Sequence, residues 1–346
     1  MKPEKLLAPE FHSLCDEFSN LVLHSSTTQT WAKHCSAWKL FNDFCNAFGV
    51  RFQLPIKKEY SRAFVTWAIS KKNLKSSTVK AYVSSLNVAH ALSNVESPNL
   101  SSDWCTKLAL KGAKNYSDLN VASRPIRLPM NLDLLTILGH RINKLEWGDY
   151  AKQVLWTACI TSFFSSCRMG EILAPVENCF EPRVTPTWDN VVFSSNGDVL
   201  IFIPYTKTTG FEGKFIDLYP IKGCKFCPSA SLRRLKKLAI AEGMWKCNLP
   251  VFTFKNGKFL TKQKVNLWLS KILGDFTDEN HVFTGHSFRA AIPSVLASHP
   301  NKSSVHTIME WGGWASDSYK VYIKSEKEKR RILFEEIMKC VLSEHD

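Results

Sequence analysis

Over the first hundred residues the large apolar side chains recur in steps of three and four, and the period drops to two in one place only, near residue 190. A step of three to four lines one face of a helix, and a step of two lines one face of a strand. From 30 to 48 the series is Trp31, Cys35, Trp38, Phe41, Cys45 and Phe48. Ser76 and Ser77 can cap a helix whose apolar face is Val79, Tyr82, Val83, Leu86, Ala89 and Leu92. A shorter helix with Phe64, Trp67 and Ile69 lies between them, and Ser101, Ser102 or Asp103 can cap a fourth that begins near Trp104. Periodicity lapses from 117 to 129, where Asn120, Ser123, Pro125 and Pro129 alternate with Arg124 and Arg127, so this stretch reads as an extended linker. Helices resume over 132–145 and 151–164. Three short strands then follow at 189–193, 199–205 and 214–219, the first two joined by Ser195-Asn196-Gly197-Asp198. Further helices are expected at 229–242, 261–273, 287–297, 304–311 and 324–342.

The chain is therefore expected to be mainly α, with one small three-stranded antiparallel sheet. Its 346 residues suit two domains. The expected divisions are an N-terminal extension over 1–26, a helical domain over 27–117, a linker over 118–130 and a second domain with a C-terminal helix over 131–346.

Lys and Arg total 45 against 31 Asp and Glu, a net charge of +14, which points to a polyanionic partner. With 45% hydrophobic and 22% charged residues, that excess decorates folded domains. Lys71, Lys72, Lys75, Lys80, Lys111 and Lys114 are set along the N-terminal helices. Eleven cysteines without framework spacing fit reduced thiols, with no structural disulfide. Acidic residues among the first twenty argue against a secretory or transit leader, and the apolar run 154–164 is far short of the ~20 residues of a bilayer span. A cytosolic start and no membrane partner are expected.

Four stretches could carry chemistry. Arg168 and Glu171 lie three apart in Ser166-Cys167-Arg168-Met169-Gly170-Glu171, which on its own fits a buried ion pair. Lys207 lies on the loop between the second and third strands. His286 and Arg289, at i and i+3 on a helix start in Gly285-His286-Ser287-Phe288-Arg289, can converge on one anion. The last stretch runs from Trp311 through Gly312, Gly313 and Trp314 to Tyr319 and Tyr322.

In this order, Arg-x-x-Glu, hairpin Lys, His-x-x-Arg, and Gly-Trp followed eight residues later by Tyr, the residues resemble the tyrosine recombinase (phage-integrase-like) superfamily. The wording of Gly285–Arg289 and Gly313–Ile323 is most similar to recombinases of DIRS-like and Crypton-type eukaryotic mobile elements. The catalytic resemblance covers about residues 130 to 342. Residues 27–117 resemble the family's helical core-binding domain in pattern alone.

The resemblance implies a metal- and ATP-independent enzyme that cleaves and rejoins DNA through a 3′-phosphotyrosyl intermediate, with no cofactor. Arg168 and Arg289 would clamp the phosphate, supported by Glu171, because a planar guanidinium suits phosphate and stays charged. Lys207 would protonate the leaving 5′-oxygen, and His286 would be a second acid or base. Trp314 would donate its indole N–H, and Tyr322, preferred to Tyr319 one turn earlier, would be the nucleophile. Arg124, Arg127, Lys71, Lys72 and Lys75 would contact double-stranded DNA.

A homo-tetramer on synapsed DNA, with C-terminal helices docked between subunits, and residence in the nucleus complete the expectation. The rivals are a type IB topoisomerase-like enzyme that nicks and reseals, and a domesticated protein that binds DNA without cutting it. Cys224-Lys225-Phe226-Cys227 invites zinc, but four ligands are needed and only Cys247 is near in sequence, so a packed loop is expected there.

Overall fold

The computed structural model describes residues 9–297 other than 94, 97, 121–124 and 222, together with 306 and 309. The chain forms two compact units that divide at 123/124.

The first unit contains α1 (Pro9–His24), α2 (Thr28–Ala47), α3 (Lys58–Ser70), α4 (Ser76–Leu92) and α5 (Trp104–Asn120). Its core is Phe41, Phe44, Ile56, Phe64, Val65, Val79, Val83, Leu86 and Leu100. Each such side chain contributes roughly 1.5–3 kcal/mol on burial. The expected face of α2 is displaced: Ala37 and Phe44 join Phe41 and Cys45 inside, while Cys35 and Phe48 are exposed. The helix ends at Ala47 and Gly49 turns the chain at φ +62°, which carries Phe48 off the core-facing stripe. The cap expected from Ser76 or Ser77 is absent, because α4 begins one residue earlier than a serine cap requires, with Lys75 at the cap position and no side-chain cap bond. Asp103 does cap α5, accepting from the Thr106 amide at 2.9 Å while Arg62 grips its carboxylate at 2.8 and 3.0 Å. Residues 9–24 of the expected extension are helical.

The second unit contains β1 (Ile126–Arg127), α6 (Leu132–Asn143), α7 (Asp149–Ser165) and α8 (Met169–Ile172), then β2 (Val191–Phe193), β3 (Val199–Ile203) and β4 (Lys214–Leu218). After these come α9 (Pro228–Ala241), α10 (Lys262–Ile272), β5 (His281–Val282), α11 (Gly285–Arg289) and α12 (Ala291–Ala297). α7 is buried nearly all round, which is why its sequence lacks a polar face. α9 lies along it, held by Gln153 Nε2 donating to the Ser231 carbonyl at 3.2 Å and by the paired Thr157 and Ser231 hydroxyls at 2.9 Å.

β2, β3 and β4 form the antiparallel sheet, with Val191 opposite Ile201 and Val199 opposite Leu218. Val199, Ile201 and Ile203 point into the core as the step of two requires. Gly213 closes the β3–β4 loop at φ +67°, where a side chain would collide with the Ile203 carbonyl.

Two features depart from expectation. The stretch read as linker, 118–130, includes the end of α5 and the strand β1, which pairs in parallel with β5, Arg127 opposite Val282. The helix expected over 287–297 is two short helices, because Pro293 has no N–H for the Arg289 carbonyl and the chain breaks at Ala290. The expected helices at 304–311 and 324–342 fall outside the described residues except for 306 and 309. Among the described residues no helix is long and apolar enough to cross a membrane.

Candidate active site

α7 is followed by Ser166, which takes a left-handed conformation at φ +51° and turns the chain sharply so that Arg168 comes in extended geometry just before α8. Glu171, one turn on, accepts the Arg168 backbone N–H at 3.0 Å and its guanidinium at 2.6 Å. One carboxylate thus fixes both the backbone and the head group of this arginine. Glu171 is nearly buried, whereas the Arg168 side chain keeps 25% of its exposure, so its fork is held but still reachable.

Thr284 caps α11: its hydroxyl accepts the His286 amide at 3.2 Å while Ser287 Oγ accepts the Thr284 amide at 3.0 Å. Asn266 Oδ1 on α10 accepts the Gly285 amide at 2.8 Å. Gly285 packs directly on Met169, which sets the start of α11 against the start of α8. Arg168 and His286 are each one residue from that contact.

Arg289, three residues beyond His286, is all but buried at 1% exposure and donates from Nη1 to the Ser166 carbonyl at 2.9 Å. Two guanidinium groups are therefore anchored around the same turn, 166–168. In this low-dielectric setting a fixed cation acts more strongly on an anion brought against it than it would in water.

His286 is half-buried, and its pKa is pushed down to about 4, first by burial and then by Lys262, Arg127, Arg289 and Arg168. Lys262 is itself shifted down, by burial and by Arg127. Burial leads both shifts, and the neighbouring cations add to them in the same direction.

Of the expected site residues, the structure packs Arg168, Glu171, His286 and Arg289 around one turn. It leaves Lys207 exposed at the tip of the turn that Thr206 and Gly210 close by exchanging backbone bonds at 3.0 and 3.1 Å. Trp314, Tyr319 and Tyr322 lie outside the described residues, as does Arg124. Lys71, Lys72 and Lys75 are exposed at the end of α3 and before α4, in the other unit. Arg127, expected on a linker, belongs to the cationic cluster instead.

Lys262 and Asn266 were not expected at the site. A lysine and an asparagine on an ordinary amphipathic helix carry no local mark, and only the packing of α10 on α11 makes them part of it. Cys227 caps α9, its sulfur accepting the Ala230 amide at 3.4 Å and the Ile221 amide at 3.2 Å. Cys224 Sγ accepts the Phe226 amide at 3.4 Å, so both thiols serve the packed loop.

No family model matches the chain, and no curated protein matches it by sequence. Its fold is similar to that of lambda integrase in a dimer bound to a COC′ core site, with a TM-score of 0.54 at 13% identity over 91% of this chain and 96% of that one. It is similar to XerH site-specific recombinase in a post-cleavage complex with palindromic difH substrate, with a TM-score of 0.54 at 14% identity over 88% and 78%. A lambda integrase tetramer bound to a Holliday junction gives 0.51 at 13% identity over 92% and 84%. At these identities the likeness shows the fold. The chain has a tyrosine recombinase fold, mainly helical with a small three-stranded antiparallel sheet.

Proposed function

We propose that this chain is a DNA strand-transfer enzyme, a tyrosine recombinase or transposase of a mobile element that resembles the DIRS-like and Crypton types. The observation that carries the reading is the double anchoring of the turn 166–168, with Arg168 locked to Glu171 and Arg289 donating to Ser166. This arrangement spends buried interactions on holding two permanent cations together, a cost that a bound phosphate offsets.

In the proposed reaction Arg168 and Arg289 take the nonbridging oxygens of the scissile phosphate. Tyr322 attacks phosphorus as its hydroxyl proton passes to His286, and the 5′-oxygen leaves with a proton from Lys207 on its turn. The phosphotyrosyl ester keeps the bond energy, so rejoining by a 5′-hydroxyl reverses the step without ATP. His286, with its pKa held down, stands as a neutral imidazole able to accept a proton or donate a hydrogen bond, and Trp314 adds an indole N–H. No metal enters this scheme.

Double-stranded DNA is the proposed partner, supported by the +14 charge and by the DNA-bound structures of the same fold. Assembly as a homo-tetramer on synapsed sites and residence in the nucleus belong to the same proposal.

The test is incubation, without divalent metal, with duplexes carrying a nicked suicide site from candidate element ends. The expected result is a covalent protein–DNA band that Tyr322→Phe abolishes. Loss with Tyr319→Phe and not with Tyr322→Phe would move the nucleophile by one turn. Salt-sensitive binding with no adduct on any candidate site would overturn the enzymatic reading in favour of a DNA-binding module.

A further inference from the structure

The cationic cluster is larger than one phosphodiester needs. A diester presents two nonbridging oxygens, and two guanidinium forks with five N–H donors each already meet them. Arg127 and Lys262 exceed that requirement.

Their placement follows from the backbone. The segment 126–130 runs beside 280–287: Ile126 donates to the Asn280 carbonyl at 2.5 Å, Leu128 to Val282 at 3.1 Å and Met130 to Ser287 at 2.9 Å. Arg127 therefore stands opposite Val282, on the approach to α11. On α10, Lys262 and Asn266, one turn apart, share a face, and Asn266 is the residue that receives the Gly285 amide. Arg127 from β1 and Lys262 from the first turn of α10 thus both come near enough to act on His286, and Arg127 acts on Lys262 as well.

Among the described residues, the charges that act most on His286 are Lys262 from α10, Arg127 from β1, Arg289 from its own helix and Arg168 from the start of α8, all positive. Glu171 is committed to Arg168. Like charges gathered in this way repel one another until an anion arrives, and an anion at the Arg168–Arg289 turn leaves the outer pair unmatched.

We propose that Arg127 and Lys262 form a second phosphate subsite that takes the phosphodiester next to the one held by Arg168 and Arg289 on the same DNA strand, with His286 between the two. This rests on the DNA reading above. The outer pair would set the register of the strand, so that one particular phosphate, and not its neighbour, comes to the arginine turn. Contacts of this kind position the strand and carry no base information.

The test is binding of a fluorescein-labelled duplex of arbitrary sequence across a salt series. It compares the wild-type chain, Lys262→Gln, the double variant Arg127→Gln/Lys262→Gln, and a control that removes the same charge from exposed positions elsewhere, Lys144→Gln/Lys246→Gln. The slope of log affinity against log salt should become shallower by about one for Lys262→Gln and about two for the double variant, with the control close to wild type. Both proposed side chains are exposed, so the variants should keep the thermal unfolding curve of the wild type.

A second readout is the pKa of His286 by NMR. Lys262→Gln should raise it in the free protein, and inorganic phosphate should raise it less in the double variant than in the wild type. Wild-type slopes and phosphate response in the double variant would overturn the subsite and leave the DNA reading standing. Equal loss in the control would overturn it as well, whereas a wild-type chain that binds no duplex would sink both.

Discussion

Met169 occupies the space that any side chain at position 285 would need: a Cβ on Gly285 would lie 2.8 Å from Met169 Cγ and 3.0 Å from its Cβ. This contact sets the spacing between Arg168 and His286, because each is one residue away from it. Gly285→Ala must therefore push α8 and α11 apart or force Met169 from its rotamer, at a cost of about 1–3 kcal/mol. Thermal unfolding should show the loss, and adduct formation should fall with it. Adding Met169→Ala should restore adduct formation by reopening the space even though it leaves a cavity of its own. A Gly285→Ala variant with wild-type stability and activity would show that the contact does not set the site.

Glu171→Gln keeps the shape of the side chain and one acceptor, but it gives up the charge that holds both the amide and the guanidinium of Arg168. Charge-assisted bonds are roughly twice as strong as neutral ones, so about 1–2 kcal/mol of stability should go, less what solvent screens at the exposed side of Arg168. Urea unfolding measures this. A larger proportional effect is expected on the rate of adduct formation than on duplex affinity, because the variant frees the arginine to wander without removing its charge. Equal effects on both would place Glu171 in general stability and not in positioning.

In the other unit, Asp103 accepts the first-turn amide of Thr106 and also the Arg62 fork. The Arg62 contact, then the Thr106 amide, hold this carboxyl well below the usual range. A carboxyl whose pKa is lowered on folding adds stability that is present above its ordinary value near 3.8 and lost as pH falls further. Asp103→Ala should cost about 1 kcal/mol as a lost helix cap at neutral pH. The gap between wild type and variant should narrow below about pH 4, as denaturant midpoints across the acid range would reveal.

Periodicity locates α4, α9 and α10 to within a residue or two because each is amphipathic over several turns, and the step of two in Val199, Ile201 and Ile203 identifies the three-stranded sheet. It misplaces the inner face of α2, where Phe44 and not Phe48 is buried, since the register of a helix against its core depends on where the chain stops. Arg168, Glu171, His286 and Arg289 are legible as ordered motifs. Their convergence is not, because it depends on the left-handed turn at Ser166 and on a glycine chosen for contact with Met169. The pairing of β1 with β5 joins residues more than 150 apart in sequence through two short strands with no pattern of their own. Hence Arg127 reads as part of a linker, and Lys262 as one lysine among many, until the backbone brings them beside His286.

The sharpest electrostatic consequence falls on His286. In the unfolded chain its imidazole titrates near 6.5, and in the folded chain burial and the four surrounding cations bring it to about 4. Above the upper value it is neutral in both states and contributes no slope. Between the two values the unfolded chain takes up a proton that the folded chain refuses, so stability falls as pH falls through this window, and the loss is complete below the lower value. His286→Gln removes that contribution, so wild type should lose stability relative to the variant between about pH 6.5 and pH 4, while carboxylates common to both cancel. Unfolding curves of the two proteins and the NMR titration of the imidazole measure the same displacement independently. An inflection near the ordinary histidine value would mean that the cations around it are screened and do not act as a cluster. Duplex DNA, by bringing phosphates among those cations, should move the titration back upward, so a His286 pKa unchanged by DNA would place the phosphate somewhere other than this site.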